Sequence, residues 1–413
     1  MTPGAAITAM AAISAFGPDQ TAFADGLRRG RTAIVDQGGQ PGPRYRARLA
    51  WKDLPTTLDA ITALPDDLRR VASRIARRTP RAVQAGLAVA VQAWVSAGLH
   101  LRPTAPDRIG VVVTAGDLDG QYAQHVHALH TANPARVPPT FALHSVSTSQ
   151  IGIISHALGI TGPGFTVGLA SAAGNAAVIA AARLIATDEV DVCLVVGALA
   201  EPSLLELTAL ANLGALAWEG RSVPFDTARC GFVVGEATGC LVLESTRNAQ
   251  RREAPMLAVL AGYGHVLDAN SLPNPAVSGE VAAMRAALRR AGLRPAQIDY
   301  VNTHGTGSLV GDHTEVEALR QVFGDVPGQR PWLNSTKSLT GHCIGAAGVI
   351  EAIATVEQMA QGYVHANAGL TDPLPTAGRF TGPAPEPASI RAALSNGFAF
   401  GGVNTCLAFV AHP

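Results

Sequence analysis

Short apolar runs of strand length alternate with longer Ala/Leu-rich stretches of helical period along most of this chain. That alternation predicts a buried, largely parallel sheet with crossover helices on its faces, an α/β fold. Ile109-Gly110-Val111-Val112-Val113 reads as one strand, closed by the loop Gly116-Asp117-Leu118-Asp119-Gly120. Phe165-Thr166-Val167 reads as a second, leading through a small-residue turn into a helix from about Ala172 to Ile185, after which Val192-Cys193-Leu194-Val195-Val196 returns as a strand. The second half repeats this order. Pro331-Trp332-Leu333-Asn334 leads through a Ser/Thr/Gly turn into a helix from about Ile344 to Met359, and Ile298-Asp299-Tyr300-Val301-Asn302 answers 109–113. Ala5-Ala6-Ile7-Thr8-Ala9 likewise resembles Leu257-Ala258-Val259-Leu260-Ala261.

Two similar halves follow, residues 1–250 and 251–413, joined by an Arg/Glu-rich crossover from Ser245 to Pro255. Corresponding strand ends of the halves are expected to meet at one centre. Pro/Gly-rich segments at 38–44 and 363–388 are expected to be surface loops.

Composition sharpens this picture in two places. Charged residues make up 15% of the 413 and hydrophobic ones 47%, so part of the surface is expected to lie against a partner subunit, in a homodimer or heterodimer. The formal net charge is zero, which argues against nucleic acid or a membrane surface and leaves room for a local basic patch. Cysteines at 193, 230, 240, 343 and 406 form no CxxC pair and read as reduced thiols of a cytosolic, cytoplasmic protein. Met1 to Phe16 is apolar but lacks a basic leading region, so it reads as a first strand.

The chemistry concentrates at three strand ends. Ser171 begins the helix of Ala172, Ala173, Gly174, Asn175 and Ala176, where exposed amides and the positive end of the helix dipole suit an oxyanion. An N-cap role is open as well. Glycines two positions either side would mark a serine-hydrolase elbow, and Leu169 and Ala173 stand there instead. His304 lies in Thr303-His304-Gly305-Thr306-Gly307-Ser308, directly after an apolar strand. Asp312 and Glu315 follow at a spacing that either returns a carboxylate to that loop or places negative charge at a helix start. Lys337 and His342 stand in Asn334-Ser335-Thr336-Lys337-Ser338-Leu339-Thr340-Gly341-His342. His125, His127 and His130 do not share one face, so no metal site is expected, and neither a third glycine after Gly262-Tyr263-Gly264 nor a GK[ST] motif is present.

These motifs, with Gly162-Pro163, Pro224-Phe225-Asp226, Gly231-Phe232-Val233-Val234-Gly235-Glu236, Gly345-Ala346-Ala347-Gly348 and Phe398-Ala399-Phe400-Gly401-Gly402-Val403-Asn404, resemble the elongating β-ketoacyl-acyl-carrier-protein synthases of the thiolase superfamily over essentially the whole chain. The resemblance implies a thiolase-like fold of two pseudo-symmetric halves in five αβαβα layers. It implies a transferase acting on acyl and malonyl groups bound to an acyl carrier protein, in fatty-acid or polyketide assembly, with no cofactor. By resemblance His304 and His342 match the two histidines that act on the malonyl unit. Lys337 matches the supporting lysine and Glu315 its carboxylate partner. Phe400 and Gly401 match the aromatic gate and glycine loop that complete an oxyanion hole with Ser171.

Ser171 stands where the family carries its nucleophilic cysteine. A thiol ionises near a pKa of about 8.5, whereas a hydroxyl needs a general base when it attacks. Condensation is therefore expected to be slow or absent. The readings left open are a native acyl-transferring or decarboxylating variant, a replacement introduced to hold an acyl intermediate, and a non-condensing, chain-length-factor-like partner subunit. Retention of both histidines and Lys337 speaks against the last. Cys230 and Val403 depart from an acidic residue and a threonine usual in the family.

Overall fold

The computed structural model describes residues 4–116, 118–324, 331–376 and 378–412; Asp117 of the Gly/Asp loop lies outside the described residues. Eleven strands among them form one mixed sheet: β1 (Ala5–Ile13), β2 (Ile109–Thr114), β3 (Gly164–Val167), β4 (Val192–Gly197), β5 (Thr238–Ser245), β6 (Ala258–Leu267), β7 (Tyr300–Asn302), β8 (Trp332–Asn334), β9 (Arg379–Phe380), β10 (Ala392–Ala399) and β11 (Val403–Val410). Their order is β9-β8-β7-β10-β11-β6-β1-β5-β4-β2-β3.

The order exposes the predicted repeat. From β1 outward the pairings run antiparallel to β5, antiparallel to β4, parallel to β2 and parallel to β3. From β6 outward the same sequence runs to β11, β10, β7 and β8. The halves join where Ala5–Ile7 of β1 pair antiparallel with Ala258–Leu260 of β6.

Five helices build the layers: α1 (Arg81–Ser96), α2 (Ala173–Ala186), α3 (Val277–Ala291), α4 (Leu309–Phe323) and α5 (Ala347–Gln361). Helix α1 covers β1 and β5, while α3 covers β6 and β11 with α4 beside it, so these are outer layers. Helices α2 and α5 pack against each other between the two half-sheets. Their positions are buried on nearly every side, as expected of a central layer, and Ala177, Ala181, Ile350 and Ile353 share one core with β4 and β5.

Small residues let this central pair approach closely. A Cβ on Gly174 would lie 2.5 Å from the Val349 amide, and one on Gly348 would lie 2.5 Å from the Asn175 amide. Only glycine fits both positions. The two helices therefore meet at their N-termini, and each half delivers its post-strand turn to the same place.

The crossover at 245–255 contains a helix, Thr246–Arg252, capped by Ser245. Its buried Arg252 pairs with Glu244 at 2.9 Å, so the junction is anchored in the interior. The expectation of a surface loop at 363–388 needs revision. His365 and Asn367 are buried, and Asn367 accepts from the Ser335 amide and donates to the carbonyls of Leu333 and Thr381. The segment runs inward because that side chain supplies partners for backbone groups at the end of β8.

Candidate active site

Strand β3 ends at Val167, and Ala170–Ala172 form a 3-10 turn before α2 begins. Ser171 thus sits inside this turn, ahead of the helix. Ala170 adopts φ +45°, a left-handed conformation that costs an L-residue roughly 1–2 kcal/mol. That strain turns the chain sharply and leaves the Ser171 amide with no backbone acceptor among the described residues. Phe400 crowns the hairpin between β10 and β11, is 49% exposed, and its amide likewise meets no backbone acceptor there. Gly401 was expected to share in the oxyanion hole. Its N–H instead donates to the Leu272 carbonyl at 2.9 Å, so it is not free to hold an oxyanion.

His342 is placed from both sides by the loop preceding β5: its N–H donates to Val233 O at 2.7 Å and its carbonyl accepts from Gly235 at 3.0 Å. The ring's Nε2 lies 2.8 Å from Ser171 Oγ, and its Nδ1 accepts the Ile344 N–H at 3.1 Å. A backbone amide can only donate. Nδ1 is therefore unprotonated, and the proton of the neutral ring sits on Nε2, facing the serine. Burial, followed by the charge of Lys337, holds this imidazole well below the usual histidine range.

His304 faces His342 edge-on, with ring centroids 5.8 Å apart at 88°. Burial first, then Lys337 and His342, depress its pKa well below the ordinary value. Lys337 Nζ donates to the His304 carbonyl at 2.5 Å and lies 3.4 Å from Nδ1 of the ring. A lysine ammonium offers only donors, so His304 too carries its proton on Nε2. Phe232 packs against His342 and Phe398 against His304, at 5.2 and 5.6 Å between centroids, giving the imidazoles an apolar surround.

The carboxylate assignments are redistributed. Lys337 forms its ion pair with Glu351 of α5, not with Glu315. Glu315 accepts from the His304 and Gly305 amides, each at 2.8 Å, and from Asn396 Nδ2 at 3.0 Å. Asp312, three positions earlier on α4, accepts from Thr306 at 2.9 Å and from Gly307 at 3.1 Å. Two carboxylates on one helix face thus satisfy four successive amides, which is why this glycine-rich loop is fixed. Burial pushes Glu315 up to about 7 and Asp312 up to about 6, against the lowering effect of those amides.

Sequence reasoning missed Glu351, Ile344 and Asn396. Glu351 carried a signal, since it is a lone carboxylate in the apolar run Gly348-Val349-Ile350-Glu351-Ala352-Ile353, a position tolerated only with a charged partner. Ile344 and Asn396 gave none, because one acts through its backbone and the other lies in a strand otherwise read as core. Cys343 is buried, its Sγ directed to the Gly341 carbonyl, and burial raises its thiol to about 12. His125, His127 and His130 stand exposed on the helix Gly120–Ala132, and no metal-holding group of three His, Cys, Asp or Glu forms among the described residues. No helix among them is long and apolar enough to cross a membrane.

A doubled α/β architecture with its site where two central helices begin is the thiolase-like fold. The comparisons make the assignment narrower. The model of the β-ketoacyl synthase N-terminal domain matches residues 4–249, and that of the C-terminal domain matches residues 257–371. The chain is 33% identical over 412 residues to the polyketide biosynthesis malonyl-ACP decarboxylase PksF of Bacillus subtilis (strain 168), covering 98% of this chain and 96% of that protein. It is 30% identical over 391 residues to 3-oxoacyl-[acyl-carrier-protein] synthase 2 of Coxiella burnetii, covering 89% and 91%. The solved ishigamide ketosynthase/chain length factor superposes with a TM-score of 0.87 at 27% identity over the full length of both chains. This chain belongs to the β-ketoacyl synthase family.

Proposed function

We propose that this protein decarboxylates a malonyl group carried as a thioester on an acyl carrier protein, releasing CO2 and leaving the acetyl thioester. One observation carries the reading: the Ile344 N–H occupies Nδ1 of His342, so the ring offers Ser171 a donor where a nucleophilic serine needs a base. The same arrangement suits decarboxylation. The C–C bond to the carboxylate breaks, its electron pair passes into an enolate, and the Nε2–H groups of His304 and His342 hold the developing charge on the thioester oxygen. Removing one such donor costs about 10²–10³ in rate in comparable sites. The apolar contacts of Phe232 and Phe398 disfavour the carboxylate and strengthen both donors.

A 33% identical relative is named a malonyl-ACP decarboxylase, which supports this reading over acyl transfer through Ser171. For the carrier, the helix Asp66–Ala76 and its exit present exposed Arg70, Arg74, Arg77 and Arg78, a local basic patch on a chain of zero net charge that complements an acidic protein surface. A chain-length-factor-like role is disfavoured, because a silent subunit has no use for two buried, oriented imidazoles and a paired lysine.

Mass spectrometry after incubation with malonyl- and hexanoyl-carrier protein tests the proposal. Loss of CO2 from the malonyl carrier with no adduct on Ser171 is expected; hexanoylated Ser171 without CO2 release would overturn it. Ser171→Cys is expected to gain both an acyl adduct and condensation, since a thiolate at this helix start is stabilised by the donor that leaves a hydroxyl inactive.

A further inference from the structure

Resting on the decarboxylation reading, we infer that the Ser171 hydroxyl is the group that protonates the acetyl carbanion once CO2 has left. The hydrogen-bond directions assign it. Nε2–H of His342 donates to Ser171 Oγ at 2.8 Å, so the serine's own hydrogen is turned away from the imidazole. An enolate held by the Nε2–H of both histidines would lie beside this hydroxyl, which stands 2.8 Å from the nitrogen of one of them in the substrate-free site.

The neighbouring groups are committed elsewhere. Lys337 Nζ is spent on Glu351 and the His304 carbonyl. Glu315 receives two amides and Asn396. Cys343 is buried, with its Sγ bonded to Gly341 O. Either imidazole, giving up its Nε2 proton, would become a buried imidazolate in the apolar surround of Phe232 and Phe398. Ser171 differs. The alkoxide it leaves lies at the N-terminal end of α2, whose positive pole meets it, and the His342 Nε2–H returns to it as the enolate oxygen loses its charge on protonation.

The step balances without a further reactant. The Ser171 O–H bond breaks as a C–H bond forms at the carbanion carbon, and the alkoxide then takes a proton from water. One proton is consumed for each CO2 released. Ser171 on this reading is a catalytic residue acting after bond cleavage, a role distinct from the nucleophile that a cysteine supplies at this position.

A fixed donor marks one face of the enolate, and stereochemistry reads that mark. Malonyl-carrier protein with tritium of defined configuration at its methylene carbon is decarboxylated in D2O, and the handedness of the resulting methyl group is determined. The wild-type protein is expected to give a single handedness, and Ser171→Thr, which keeps a hydroxyl, to retain it. Ser171→Ala is expected to give a racemic methyl group, since its carbanion takes a proton from water on either face. A racemic wild-type product, or unchanged handedness in Ser171→Ala, overturns the assignment. Loss of CO2 release in a natively folded Ser171→Ala overturns it also, since the serine would then act before cleavage. Failure of the wild-type protein to release CO2 at all defeats the underlying function instead.

Discussion

The turn at Ala170–Ala172 and the turn at Ile344–Ala346 are the same device used twice. Each is a short 3-10 turn entering a central helix, and each opens on a non-glycine residue with positive φ, +45° at Ala170 and +52° at Ile344. What they present differs. The first displays the Ser171 hydroxyl; at the matching position of the second stands Gly345, where a Cβ would lie 3.0 Å from the Ala115 carbonyl. The second turn is therefore tight against backbone at that position, and contributes its amide at Ile344 to His342. One half supplies the hydroxyl group and the other decides which way a proton faces. The two halves carry the same strained elbow, and their differing surroundings leave a hydroxyl at one and an amide bonded to His342 at the other.

The comparison breaks most severely at the lysine behind it. Lys337→Met leaves Glu351 buried at 2% exposure without its partner, so a loss of about 3–5 kcal/mol in unfolding free energy is expected from denaturant titration. Adding Glu351→Leu is expected to restore most of that stability while CO2 release stays impaired, because His304 has still lost the cation at its Nδ1. Equal recovery of stability and activity would show the pair to be structural only.

The helix junction comes next. Gly174→Ala and Gly348→Ala each force a methyl against backbone of the opposite helix, and each is expected to destabilise by about 1–3 kcal/mol, the two matching because the contact is reciprocal. The elbows themselves should respond with opposite signs. Ile344→Gly relieves a strained φ but empties a buried site beside Phe232 and Val234, for a net loss of about 2 kcal/mol. Ala170→Gly gives up one methyl, so release of strain wins and thermal unfolding is expected to show a gain of about 0.5–1 kcal/mol.

The gentlest test is pH. Both imidazoles have folded-state pKa values below the ordinary histidine value, so each becomes charged only on the acid side of that value. Stability and activity that depend on the neutral rings are lost as pH falls through those depressed values. The imidazoles are therefore expected to add no limb to the rate of CO2 release from about pH 6.5 to 8, and an acid limb near neutrality that persists in Glu315→Gln would contradict the neutral rings described above.

Much of this was readable from residue order alone, for physical reasons. The repeat was visible because buried strands and central helices must be apolar throughout, so 109–113 and 298–302 announce themselves; β7 nevertheless begins only at Tyr300. Ser171, His304 and His342 stood out as polar residues beside small ones at strand ends, a placement that left a structural role open, and their roles, with that of Lys337, came from the resemblance to the ketosynthases. Partnerships were not. Glu315 lies on the helix following His304 and satisfies amides of that local loop, whereas Glu351, fourteen positions beyond Lys337, reaches it across a turn of helix and loop. Proton direction on His342 was also hidden, since it depends on a backbone amide that any residue at 344 would carry.

The joint between Ala5–Ile7 and Ala258–Leu260 bears on how the molecule is made. Strand β1 lies between β5 and β6 and finds both neighbours more than two hundred residues later in the chain. A nascent chain must therefore carry this apolar ribbon unpaired while the intervening residues emerge. Such long-range closure slows folding and exposes a sticky edge. Ribosome-bound intermediates of this protein should accordingly depend on chaperones until β6 has been released from the exit tunnel.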